Sequence, residues 1–165
     1  MKKIYFSLGT NLGNRKHFII EMEFFLKKIL IPPFELSSLM ETEPLGVDDN
    51  QEWFYNRIFM GQYSDSPGTL LRLCQKIEHQ LGRTEKNTLK ARTADIDILL
   101  IENTIISEEK LIVPHQQLLF RRFCIEGINE IAPDLIHPIE NKSFKELFTH
   151  MPLQIKNQHI RFIDN

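Results

Sequence analysis

An α+β fold, one mostly antiparallel sheet with helices packed on it, is what this chain predicts, and three observations carry the prediction. Short apolar stretches of strand character are interspersed with two longer amphipathic segments. Two strand-like stretches, 34–40 and 53–63, follow one another with no helix between them, which an antiparallel pair permits and a parallel crossover does not. The 165 residues, 42% of them hydrophobic, suit one globular domain over 1–165 that buries enough surface to need no metal or disulfide staple.

Each element follows from local pattern. Lys3 to Leu8 alternates well enough for a strand, and Gly9-Thr10-Asn11-Leu12-Gly13-Asn14 reads as a turn that caps a helix. Phe18, Met22, Phe25 and Ile29 then recur at helical spacing, with Lys16, Glu21, Glu23, Lys27 and Lys28 largely elsewhere on the wheel, and Pro32-Pro33 ends the helix. Phe34 to Met40 and Trp53 to Tyr63 are the next strands, separated by an irregular stretch that begins at Glu43-Pro44-Leu45-Gly46. Ser66 caps a second helix with Pro67 at its first position, Leu70, Cys74, Ile77 and Leu81 form its buried stripe, and Gly82 marks its stop. Arg83 to Thr93 is a polar loop, Ala94 to Ile101 a strand, and Glu102-Asn103 the turn to a short strand at 104–106. A loop beyond Pro114, a helix near Phe123 to Ile131 and an amphipathic piece around Phe144, Leu147 and Phe148 complete the chain. The order β-α-β-β-α-β with helical additions is that of a ferredoxin-like sandwich.

Twenty Lys+Arg against 22 Asp+Glu leave a net charge of −2, which disfavours an extended polyanion such as nucleic acid as partner. Cys74 and Cys124 stand far apart and outside any CxxC pairing, so two buried, inert thiols in a reducing compartment are expected. The apolar run after Lys2-Lys3 is too short for a signal sequence, and no stretch approaches the roughly 18 apolar residues of a membrane span. The expectation is a cytoplasmic protein with no membrane partner. Each helix has one apolar stripe to bury, so nothing demands an oligomer and a monomer is expected.

The segment richest in chemistry is Arg92-Thr93-Ala94-Asp95-Ile96-Asp97-Ile98-Leu99-Leu100. Alternation along a strand puts Asp95 and Asp97 on one face, roughly 6–7 Å apart at their Cα atoms, and Ile96, Ile98 and Leu100 on the other. Two carboxylates so placed repel unless solvent screens them or a cation joins them. A solvent-facing strand edge is one reading. The other is a magnesium site, with phosphate oxygens and water completing the octahedron. Arg83, Lys86, Lys90 and Arg92 just upstream make a cationic loop, and cations beside a carboxylate pair suit a polyphosphate better than zinc or calcium. The chain holds no GxxxxGK[ST] loop, GxGxxG, HExxH or EF-hand pattern, so side chains and metal would have to hold the phosphates.

Two further groups stand out. Phe54 and Asn56, two apart on a strand, offer a ring to stack on and an amide that donates and accepts, which suits a flat heterocycle, although a core Phe and a strand-end amide explain them too. His115, after a proline, with Arg121 and Phe123 close behind, offers another phosphate donor and a second aromatic face, or else a structural histidine.

Together these segments resemble the 6-hydroxymethyl-7,8-dihydropterin pyrophosphokinase family. The resemblance runs through Gly9-Thr10-Asn11-Leu12-Gly13, Thr42-Glu43-Pro44-Leu45-Gly46, Phe54-Tyr55-Asn56, Ile77-Glu78 with Gly82-Arg83, and Arg92-Thr93-Ala94-Asp95-Ile96-Asp97. It continues through Val113-Pro114-His115 and Arg121-Arg122-Phe123 to Glu130-Ile131-Ala132-Pro133-Asp134. It implies an ATP-dependent enzyme of folate biosynthesis that transfers pyrophosphate from ATP to the hydroxymethyl group of a reduced pterin, leaving AMP. Two Mg2+ ions would sit on Asp95 and Asp97, with Arg83, Arg92, Asp95 and Asp97 as the catalytic set. ATP would meet Glu78, Arg83, Lys90, Arg92, His115 and Arg121. The pterin would lie between Phe54 and Phe123, read by Asn56, Asp95 and the backbone around Thr42, Pro44 and Leu45. The loop between Gly82 and Arg92 departs from the family's usual pattern: Glu85 stands where a second arginine is common, and Leu89-Lys90-Ala91 where Trp-Gly-Pro is common, leaving Lys86 or Lys90 as replacement charge. Two other readings of the chain are an inactive or altered-substrate paralogue and a non-enzymatic ferredoxin-like binding module.

Overall fold

A computed structural model describes residues 1–46, 51–83 and 90–164. Its elements are β1 (Lys2–Thr10), α1 (Arg15–Ile29), β2 (Ile31–Leu36), β3 (Leu39–Thr42), β4 (Phe54–Tyr63), α2 (Pro67–Gln80) and β5 (Asp95–Ile101). There follow β6 (Ile106–Glu108), β7 (Leu111–Val113), a 3-10 turn (Leu118–Phe120), α3 (Arg122–Ile131), α4 (Phe144–Thr149), α5 (Leu153–Lys156) and β8 (Ile160–Ile163). The main sheet runs β5-β1-β4-β3-β8, with β2 beside β3 along β4, and its strand pairs are antiparallel.

The helices start and stop where the local chemistry dictates. Asn14 accepts the His17 N–H at 3.1 Å and Ser66 accepts the Thr69 N–H at 3.2 Å, each satisfying one orphan donor of a first turn. Lys27 and Lys28 close α1 against the negative end of its dipole. Gly82, at φ +89°, takes the left-handed turn after α2 that a side chain would strain.

Helices cover both faces of the sheet. On one, Ile19, Met22 and Leu26 of α1 and Leu70, Cys74 and Ile77 of α2 pack on Ile4, Phe6, Leu8, Phe59, Ile96 and Ile98. On the other, Cys124, Ile125 and Ile128 of α3 and Phe144 of α4 pack on Tyr5, Met40, Ile58, Met60 and Leu100. The α3 backbone sits so close that a Cβ on Gly127 would collide with the Ile58 side chain. Both cysteines are buried and reduced, and burial pushes the Cys124 thiol far above its usual range, as inert core thiols require.

Several expectations need correction. The strand expected over 34–40 is two strands, and Pro32-Pro33 lies inside β2 rather than ending α1, which stops at Ile29. The break falls at Ser37-Ser38 because the Ser37 hydroxyl accepts the Ile58 N–H at 2.9 Å, while the Glu130 carboxylate takes the Ser38 N–H and hydroxyl. The buried stripe of α1 centres on Ile19, Met22 and Leu26 instead of Phe18, Phe25 and Ile29, which are half-buried. That rotation carries Glu23 inward, where it pairs with Arg57 at 2.9 Å. The register of β5 on β1 slips between Tyr5 and Phe6, so Leu100 faces α3, away from Ile96 and Ile98. The short strand after the Asn103 turn begins at Ile106 and pairs only with β7, in a separate ribbon. Helix α5 and strand β8 were not legible from periodicity.

Gly127→Ala is expected to destabilise the protein by about 1–3 kcal/mol, because Ile58 has nowhere to retreat in a packed core. Urea unfolding with an unchanged m-value checks this.

Candidate active site

One end of the sheet gathers the polar side chains. Across it, Asp95 of β5 stands opposite Gly9 of β1, and Gly9 opposite Asn56 of β4, which in turn faces Met40 of β3. One step inward Asp97 faces Ser7. These residues occupy the α3 side of the sheet, beyond the tip of its apolar packing. The expected sharing of a face by Asp95 and Asp97, and by Phe54 and Asn56, is therefore what the strands provide.

A cleft of about 750 Å³ opens here, lined by Thr42, Pro44, Leu45, Phe54, Asn56, Arg92, Asp95, Arg121 and Phe123. The buried Asn56 amide donates to the Thr42 hydroxyl at 2.8 Å, which fixes its plane. A Cβ at position 9 would stand 3.1 Å from the Asn56 carbonyl oxygen, so a side chain there would press on the amide. The Arg92 guanidinium lies 5.5 Å from the centre of the Phe54 ring. Its Nε is buried without a hydrogen-bond partner, a donor that an anion would satisfy.

A wider cleft of about 1310 Å³ adjoins on the other side of β5, lined in part by Glu78, Arg83, Asp95, Asp97 and His115. Asp95 lines both clefts. Its two oxygens take different arginines: one meets Arg83, and the other meets Arg92 Nη1 at 3.0 Å. Arg83 is shared with Glu78 at 2.6 Å, and Glu78 also accepts the Ile96 N–H at 2.8 Å, which locks α2 to the start of β5. Burial works against the Arg83 charge, but Asp95 and Glu78 outweigh it and raise its pKa. Glu78, only 3% exposed, thus acts first as the anchor of Arg83.

The environment of Asp97 is of opposite kind. Burial, then repulsion from Asp95, lift its carboxyl to about 7, with Arg121 pulling it back. His115 is held in place by its backbone N–H, which donates to the Leu99 carbonyl at 2.8 Å, and burial, then Arg121, lower the pKa of its imidazole. Among the described residues no group of three or more His, Cys, Asp and Glu side chains is arranged to hold a metal ion by itself. A Mg2+ ion needs only one or two carboxylates when phosphate and water supply the rest, and Asp95 and Asp97 fit that role.

Lys90, expected at the nucleotide, is exposed and borders neither of these two clefts. Glu85, Lys86 and Leu89 lie outside the described residues. Sequence reasoning missed Asn11, whose side chain accepts the Arg92 N–H at 2.8 Å and donates to Gln51 and to the Glu52 carbonyl. It also missed Gln158, His159 and Ile160, which reach the 750 Å³ cleft from the end of the chain. An asparagine in a glycine-bearing turn was a faint signal for the first; no local signal existed for the others.

Fold and site define an α+β protein with two adjoining clefts, one aromatic and amide-bearing, the other ionic, that meet at Asp95. The chain belongs to the 7,8-dihydro-6-hydroxymethylpterin-pyrophosphokinase (HPPK) family, whose pattern matches residues 5–133. It is 35% identical over 96% of its length to the folic acid synthesis protein fol1 of Pneumocystis carinii, of which it spans only 23%. It is 38% identical to the 2-amino-4-hydroxy-6-hydroxymethyldihydropteridine pyrophosphokinase of Bacillus subtilis (78% of this chain, 77% of the relative) and 35% identical to that of Aquifex aeolicus (88% and 90%). The crystal structure of Plasmodium falciparum HPPK-DHPS with pteroate superposes with a TM-score of 0.71 at 16% identity, over 95% of this chain and 45% of that one, and so shares the ferredoxin-like fold. No described helix is long and apolar enough to cross a membrane.

Linkage gives Asp97 a measurable signature. With its pKa raised from 3.8 to about 7, the native state keeps a proton that the unfolded chain has released between these values. Its contribution to stability is therefore full below pH ~4 and lost as pH rises through ~7. In metal-free buffer Asp97→Asn should come closest to the wild type below pH ~4 and gain on it as pH rises to 8, by on the order of 4 kcal/mol. Thermal melts across that range check this; a pH-independent difference would show Asp97 ionised throughout.

Proposed function

We propose that the protein transfers pyrophosphate from ATP to the hydroxymethyl group of 6-hydroxymethyl-7,8-dihydropterin, giving the pterin diphosphate and AMP. The observation that carries this reading is the junction of the two clefts at Asp95. A flat heterocycle in one and a polyphosphate in the other would bring their reacting atoms together beside Asp95 and Asp97. Family membership supports the same two substrates, and the names of the Bacillus subtilis and Aquifex aeolicus relatives describe the same activity.

The chain's own side chains then have distinct tasks. Phe54 and Phe123 flank the pterin ring, and Asn56, oriented by Thr42, reads its polar edge, with Pro44 and Leu45 shaping the rim. Arg83, Arg92, His115 and Arg121 surround the phosphates, and the buried, unpartnered Arg92 Nε would gain an oxyanion partner once that side chain turns from Asp95. The hydroxyl oxygen bonds to the β-phosphorus as the bond from that phosphorus to the oxygen bridging the α-phosphate breaks. AMP leaves and the hydroxyl proton passes to solvent. Such a transfer depends on positioning and charge neutralisation, which cations and carboxylates supply without a covalent intermediate. Asp95 and Asp97 would hold two Mg2+ ions, whose charge would neutralise the polyphosphate when bound. Arg83 and Arg92 occupy the Asp95 oxygens, so they would turn from carboxylate to phosphate as the nucleotide arrives.

Release of AMP from ATP, Mg2+ and 6-hydroxymethyl-7,8-dihydropterin tests the proposal. Asp97→Ala should lower kcat by about a hundredfold or more. Phe123→Ala should mainly raise the pterin KM, by about tenfold, through loss of one ring face. No AMP from the folded wild type would favour a paralogue with another acceptor, and undiminished turnover in Asp97→Ala would remove the metal assignment.

A further inference from the structure

We propose that Gln158 is a positioning residue for the aromatic cleft and that Gln158, His159 and Ile160 form a strap joining its opposite walls, an inference that rests on the pterin reading of this cleft. The Gln158 side chain makes two hydrogen bonds to one turn. Its Oε1 accepts the Arg122 N–H at 2.9 Å and its Nε2 donates to the Phe120 carbonyl at 2.8 Å. Those two backbone groups flank Arg121, and the same turn delivers Phe123 to the cleft. No side chain within the turn caps α3, so Gln158 supplies the missing cap from the far end of the chain. The clasp is reciprocal: Arg122 Nη1 donates to the carbonyls of Lys156 and Gln158, and Glu126 holds its Nε.

The next two residues grip the other wall. The His159 ring stacks on Trp53, 6.3 Å between centroids and 3° from parallel, and its Nδ1 lies 3.1 Å from a Glu43 oxygen. Arg161 covers Trp53 at 4.2 Å from the ring centre. Ile160 pairs with Thr42, whose hydroxyl orients Asn56. Three consecutive residues thus tie the turn bearing Arg121 and Phe123 to the strand and flank bearing Thr42 and Glu43. The strap adds to α3 packing in setting the spacing of the two aromatic faces.

The test compares wild type, Gln158→Met, His159→Ala and, as a control on the exposed side of α5, Gln154→Ala. Gln158→Met keeps the volume and removes both hydrogen bonds. Binding of 6-hydroxymethyl-7,8-dihydropterin should weaken about tenfold in Gln158→Met and less in His159→Ala, with the ATP KM within about twofold of wild type and Gln154→Ala unchanged. Trp53 is the sole tryptophan of the chain, so its fluorescence reports the His159 stack without any ligand; it should shift in both strap variants. Unchanged pterin affinity in folded Gln158→Met overturns the proposal, as does equal weakening of both ligands with a lowered melting temperature, the mark of a merely structural role. If the wild type binds no pterin, the functional reading fails instead, and unshifted Trp53 emission in both variants then overturns the strap independently.

Discussion

Asp95 carries two arginines on its two oxygens, and the site is organised around that arrangement. Arg83 reaches it from the end of α2 and Arg92 from the approach to β5. Because Arg83 is also held by Glu78, and Glu78 by the Ile96 N–H, helix, loop and strand are joined through one chain of charge-assisted hydrogen bonds. Each carboxylate in that chain is partly desolvated, and removing one partner would strand a charge at a cost of several kcal/mol. The loop between α2 and β5 is thereby tethered at both ends.

The same constraint separates the roles of the two aspartates. Asp95 is neutralised by Arg83 and Arg92. Asp97 is left to burial, to repulsion from Asp95 and to the more distant Arg121, and it holds its proton up to about pH 7. A site in this state suits a polyanion that brings its own cations, and those cations would draw Asp97 to its ionised form. Stability given up at Asp97 is thus coupled to the chemistry proposed for it, since a polyphosphate with its counter-ions relieves both the repulsion and the unpartnered Arg92 donor.

Beyond the charges, the aromatic cleft depends on contacts from distant parts of the chain. Asn11, in the turn after β1, holds the backbone of Arg92 and of Glu52 and the side chain of Gln51. Arg15, at the start of α1, pairs with Glu41 at 2.9 Å and lies 4.0 Å from the centre of the Tyr55 ring. The C-terminal strap adds the third brace. Loop-borne binding groups need such braces because the loops bury too little apolar surface to hold themselves.

Local pattern alone placed α1, α2 and α3, since caps such as Ser66 and the left-handed Gly82 act within a few residues of themselves. It also determined that Asp95 and Asp97 share a face, because strand alternation is a property of the backbone, and it brought the ordered motifs of the family into view. It could not divide β2 from β3, because Ser37-Ser38 breaks the strand through Ile58 and Glu130, neither of them near in sequence. The rotation of α1 that buries Glu23 was likewise decided by Arg57, and the slip that turns Leu100 over by the pairing of β5 with β1. Gln158 and His159 carry no periodicity and no motif. Their place in the site was decided only by tertiary structure, because a contact between residue 158 and residue 120 has no local energetic signature until the sheet and α3 have come together.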